Sequence, residues 1–124
     1  MKPGDTFLAD TGVGNHLHVV LSHPVEENCL VVFAMISTYD EDYKNAACIL
    51  RKTDGHPFIK HLSYVAYNTA QLLSVSHLET LPIRKMAPFS EEVLLRILRG
   101  ADSVNSDFPN KYWVILDNQG LIPK

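Results

Sequence analysis

Histidine is the side chain that most readily exchanges a proton near neutral pH. The run His16-Leu17-His18 places two imidazoles at alternate positions. In a strand such residues project from one face, so both could address one ligand as acid, base or phosphate contact. Hydroxyls follow a long apolar run at Ser37 and Thr38, where they could bind a phosphate or stabilise charge developing on phosphorus. His56 stands in the turn-forming stretch Thr53-Asp54-Gly55-His56-Pro57, a loop position suited to a site. Ser63, Tyr64 and Tyr67 come next, and tyrosines beside a groove could stack on unpaired bases. Each residue also has an ordinary reading. Histidines on a strand can be a solvated face, hydroxyls can cap a turn, and tyrosines can be cross-strand packing.

Composition narrows the chemistry. The 124 residues carry a net charge of -3, with Lys44, Arg51, Lys52, Lys60 and Lys111 scattered rather than striped. Such a balance does not support tight, sequence-independent binding to duplex nucleic acid. No G-x-G-x-x-G, Walker A, C-x-x-C or H-E-x-x-H pattern occurs, and a third metal ligand has no defined spacing from His16 and His18. The sequence therefore calls for no metal and no cofactor. The acidic run Asp40-Glu41-Asp42, flanked by Tyr39 and Tyr43, reads as a solvated loop that would repel phosphate if it lay near a groove. Cys29 and Cys48 sit in apolar runs and read as buried thiols. The start Met1-Lys2-Pro3-Gly4-Asp5 lacks an apolar signal core, and no apolar run approaches the ~20 residues of a membrane span. A cytoplasmic protein without membrane contact is expected.

The elements that must position these residues are mostly strands. Pro3-Gly4-Asp5 is a turn leading into a strand at Thr6–Ala9. A loop with Gly12 and Gly14 precedes the alternating strand His16–Leu21. Cys29–Ile36 is an eight-residue apolar run, read as a central strand buried on both faces. Further strands are expected at Ala46–Leu50 and Ser63–Tyr67, while residues 68–75 fit a strand or a helix. Ser90 is a fitting N-cap for a helix over Glu91–Arg99 with a Val93, Leu94, Ile97, Leu98 stripe, and Gly100 reads as its C′ residue. After Asp107-Phe108-Pro109 the tail reads as a short helix stopped by Gly120, with a final strand over 112–116 as the alternative. The expectation is one mainly β domain over residues 1–124, a small barrel with a C-terminal helix and a short helical or strand tail.

The opening Pro3-Gly4-Asp5-Thr6-Phe7, followed by His16-Leu17-His18-Val19-Val20-Leu21-Ser22, resembles the start of the PemK/MazF-like toxin family. Val31–Ser37 resembles that family's central strand, Ser63-Tyr64-Val65 a later strand, and Ser90–Gly100 its terminal helix region. The resemblance covers about the first hundred residues. It implies an SH3-like barrel, a homodimer, metal-independent cleavage of single-stranded RNA and a partner antitoxin. The family's catalytic arginine would fall at His16, the proline beside it at Leu17, and the catalytic Thr or Ser at Ser37, with Thr38 adjacent. Histidine lacks arginine's permanent charge and bidentate fork. His18, on the face of His16, and His56 are the residues that could supply what the arginine position lacks.

Two functions follow. An endoribonuclease reading predicts that His16, Ser37 and His56 converge in one cleft, with Thr38, Ser63, Tyr64 and Tyr67 as substrate contacts. A catalytically inactive barrel acting as a protein or nucleic-acid binding module needs no such convergence, only a surface lined by Tyr64, Tyr67 or Trp113.

Overall fold

The computed structural model describes residues 1–10, 12, 14–27, 29–39 and 46–124. The expected acidic loop at 40–45, with Tyr43 and Lys44, lies outside them. The strands are β1 (Thr6–Asp10), β2 (Asn15–Val20), β3 (Leu30–Thr38), β4 (Ile49–Leu50), β5 (Ser63–Ser74) and β6 (Arg84–Met86). The helices are α1 (Val75–Thr80), α2 (Glu91–Ala101) and α3 (Asn110–Asn118), with a short 3-10 turn at Lys52–Asp54. All neighbouring strands are antiparallel in the order β4-β5-β3-β2-β1-β6, and the sheet curls into a half-barrel closed by the C-terminal helices.

Alternation along the strands divides the core in two. Leu17, Val19, Val32, Ala34, Ile36, Val65 and Tyr67 face α2 and α3, meeting Val93, Ile97, Leu98 and Leu116. Phe7, Ala9, Val20, Val31 and Phe33 pack on the opposite side around Leu78 of α1. β3 contributes to both clusters, as its unbroken apolar run requires.

Of residues 68–75, all but Val75 are strand. Leu72 packs toward the first cluster and Leu73 toward the second, the alternation of a strand, and α1 begins only at Val75. Ser74 caps α1 by accepting from the His77 amide. Opposite the middle of β5 the ladder changes register. Phe33 pairs with Gln71 and Met35 with Ala66, so four residues, 67–70, stand against the single Ala34. Thr69 fills the gap: its Oγ1 accepts from the Met35 amide (3.1 Å) and donates to the Ala66 carbonyl (2.6 Å). Such a bulge bends the strand and increases its twist.

Three expectations need correction. The strand expected over 46–50 is strand only at Ile49–Leu50, with the Cys48 carbonyl before it accepting from the Val65 amide (3.1 Å). Gly100 is not a helix stop, because α2 runs on to Ala101 with Asp102 as its C-cap. Gly100 lies instead beneath Tyr67 and Cys48, where a side chain has no room. Cys29 is exposed, with φ of 50°, while Cys48 is buried, and both are thiols. The Ser90 cap does form, its side chain accepting from the Val93 amide. The tail is helical, and Gly120 follows it in the left-handed conformation (φ 70°).

Candidate active-site cleft

A cleft of about 540 Å³ opens where the end of β3 meets the starts of β2 and β5. His16 and Asn15 come from β2, Ser37 and Thr38 from β3, and Ser63 from β5. Register explains the grouping. β2 and β3 run antiparallel with Leu17 opposite Ile36, and β3 and β5 pair Thr38 with Ser63. Phe58, Lys60 and His61 of the segment 57–61 and Met86 of β6 also line it. Among the described lining residues there is no aspartate or glutamate, and Lys60 contributes a positive charge.

Of the eight expected site residues, four line this cleft: His16, Ser37, Thr38 and Ser63. Tyr64 is half-buried beside it in sequence, its ring edge-on to Tyr39 at 6.5 Å. The other three lie elsewhere.

His18 shares the face of His16 but is 1% exposed, stacked on Phe7 (5.1 Å between centroids) and edge-on to Phe33 (5.7 Å). Alternation gives the face of a strand residue; it does not reveal that α1 and β1 cover that face one step further along. Burial favours the neutral ring and pulls the His18 pKa from 6.5 down to about 4. The unfolded chain therefore binds a proton that the folded chain rejects between these values. Stability is full above pH 6.5 and falls as pH drops through the window, by on the order of 3 kcal/mol. Urea titrations across it should show His18→Phe losing less stability on acidification than the parent protein. Equal slopes would remove His18 as the source.

His56 is buried and turned away from the cleft. Its Nδ1 accepts from the Phe58 amide (3.1 Å), which leaves the proton on Nε2 to be donated to Thr6 Oγ1 (3.0 Å). Thr6 Oγ1 donates in turn to the Ala87 carbonyl (2.6 Å). Both ring nitrogens are thus committed, and the neutral tautomer is fixed by its partners. Burial lowers its pKa, and the ring packs against Phe89 at 4.9 Å. His56 ties the wall of the cleft to β1 and to the chain ahead of α2. The turn before it is held by Asp54, which receives Arg96 Nη1 at 2.7 Å and Nη2 at 3.0 Å. Those bonds keep the Asp54 carboxyl below the usual carboxylate range. Arg96 of α2 is thereby a clamp.

Tyr67 is a core residue. Its hydroxyl donates to the Ile97 carbonyl of α2 (2.5 Å), and burial raises its pKa. It offers no face to a base. Trp113 lies on α3, its indole N–H donating to Asp102 (2.8 Å), and is not among the residues lining this cleft.

Lys60 and His61 were not singled out as site residues by sequence. The available signal was proximity, since His61 stands two residues before Ser63, whose hydroxyl donates to the His61 carbonyl (2.9 Å). Two imidazoles, an ammonium and three hydroxyls in one cleft can move protons and hold a phosphate.

No protein-family model matches the chain. No curated protein matches it either. Among solved structures, a chain of the MazE–MazF crystal structure (form II) from Deinococcus radiodurans is similar, with a TM-score of 0.54 and 17% identity, covering 81% of this chain and 88% of that one. The fold is therefore MazF-like. Among the described residues no helix is long and apolar enough to cross a membrane.

Proposed function

We propose that the protein is a metal-independent endoribonuclease acting on single-stranded RNA, in the manner of a toxin restrained by an antitoxin. The observation that carries this reading is the convergence of His16, His61, Lys60 and Ser37 in one cleft whose described lining residues include no carboxylate, on a MazF-like fold. Cleavage without a metal needs a base to activate the ribose 2′-hydroxyl, an acid to protonate the departing 5′-oxygen, and groups to hold the phosphate. His16 and His61 fill the proton-transfer roles. Lys60 supplies charge, and Ser37, Thr38 and Ser63 supply hydrogen bonds. An antitoxin partner and a homodimer belong to the same proposal, and the similarity to a MazE–MazF structure supports them.

The competing reading is a binding module on the same barrel. Histidine and lysine replace the permanent, forked charge of arginine here, and this weakens stabilisation of the transition state. The test is incubation of the purified protein with end-labelled single-stranded RNA in excess chelator, beside the same sequence with 2′-deoxy sugars. Cleavage of the RNA alone is expected, because only it carries the nucleophile. A folded protein that leaves the RNA intact would overturn the nuclease reading in favour of the module.

A further inference from the structure

We propose, building on the RNA reading of the cleft, that Phe58 is the platform on which one unpaired base of the bound strand stacks. Phe58 is 44% exposed and lines the cleft, although His56 and Ile59, which bracket Pro57-Phe58, are buried. His56 is buried and accepts the Phe58 amide through Nδ1; Ile59 is 3% exposed and donates its own amide to the His56 carbonyl (3.1 Å). A single exposed apolar side chain is ordinary on a protein surface. This one is different in being displayed from a turn whose backbone is fixed at both ends, with Pro57 restricting the approach. Its aromatic face is thus offered with little ordering left to do on binding.

The surroundings select the occupant. Lys60, His61, Ser63, Thr38 and Ser37 line the same cleft. A ligand that places a flat apolar ring beside a phosphodiester matches this set of groups, and a nucleotide of a single strand is such a ligand. In a duplex the base would already be stacked and its face unavailable. An acidic peptide would satisfy Lys60 and leave the aromatic face unused.

The experiment measures binding of a short fluorescent 2′-O-methyl RNA, which lacks the nucleophile, by anisotropy. Wild type, Phe58→Ala and Phe58→Trp are compared, each with thermal melting to confirm folding. A second series carries one abasic position moved along the strand. Phe58→Ala should weaken binding about ten-fold, within the span of one base–aromatic stack. Phe58→Trp should restore it. The ten-fold difference should vanish on the oligomer that lacks the base at the platform. Wild-type binding with Phe58→Ala unchanged, or with the same loss on every abasic oligomer, would overturn the platform and leave the nuclease reading standing. No binding by the folded wild type, together with no cleavage of ordinary RNA, would remove both.

Discussion

Replacing His16 with alanine is expected to lower the rate of RNA cleavage by about 10²- to 10⁴-fold, the usual worth of a positioned acid or base. His16 is half-buried at the start of β2 and lines the cleft with His61, so the substitution removes an imidazole without emptying the core. The loss should fall on kcat, with KM little changed, because a proton-transfer group acts in the transition state. His61→Ala should produce a comparable loss. The double variant should be hardly worse than either single one, since groups that act in one step are not additive. Lys60→Ala should instead raise KM. His18→Phe serves as the control: that side chain is 1% exposed between Phe7 and Phe33, and the variant should cleave at the parental rate. Single-turnover rates at matched, folded concentrations decide the matter. Parental cleavage by His16→Ala would move the chemistry away from β2, and a loss with His18→Phe equal to that with His16→Ala would point to a structural cause for both.

The second large effect concerns stability, and its sign runs against helix propensity. In an exposed helix a Gly→Ala change stabilises by about 1 kcal/mol. At Gly100 a Cβ would overlap the Tyr67 hydroxyl and would stand 3.0 Å from Tyr67 Cζ and 3.1 Å from Cys48 Cβ. Tyr67 has nowhere to retreat. It is 1% exposed, its ring meets Phe108 edge-on at 6.0 Å, and its hydroxyl is bonded to the Ile97 carbonyl one turn before the glycine. Relief requires either breaking that buried hydrogen bond or lifting α2 off the sheet. Overpacking and a lost buried bond together outweigh propensity, for a net destabilisation of about 2–4 kcal/mol. Urea denaturation of Gly100→Ala should show the midpoint falling. Adding Tyr67→Phe removes the overlapping oxygen and should return part of the loss. A Gly100→Ala protein as stable as the parent would show that α2 sits less tightly on β5 than described.

The sheet was legible because its strands differ in pattern. β2 alternates, β3 is apolar throughout, and a hydroxyl pair marks where β3 leaves the core. The α2 start was equally plain from Ser90 and the two glutamates that follow it. Side-chain depth was less legible. His16 and His18 are equivalent in period and differ only in what covers them, which depends on α1 and β1, remote elements that local sequence does not describe. His56 looked like a loop residue with a catalytic ring. Its inward turn follows from a partner at Thr6, fifty positions away along the chain, which is itself bonded to the Ala87 carbonyl. A glycine near a helix end usually signals termination, whereas at Gly100 the missing side chain makes room for a tyrosine.

The bulge in β5 has a consequence for how the chain tolerates change in length. Residues 63–66 and 71–74 pair with β3 in two separate registers, joined by residues 67–70, which Thr69 pins. A slip of one residue in an uninterrupted strand would carry every later side chain to the wrong face. Here the half that builds the cleft is registered by Ser63, Tyr64, Val65 and Ala66 alone. Insertions or deletions beyond residue 70 can therefore remodel the α1 side of the molecule while Ser63 stays opposite Thr38, so the two ends of one strand are free to diverge at different rates.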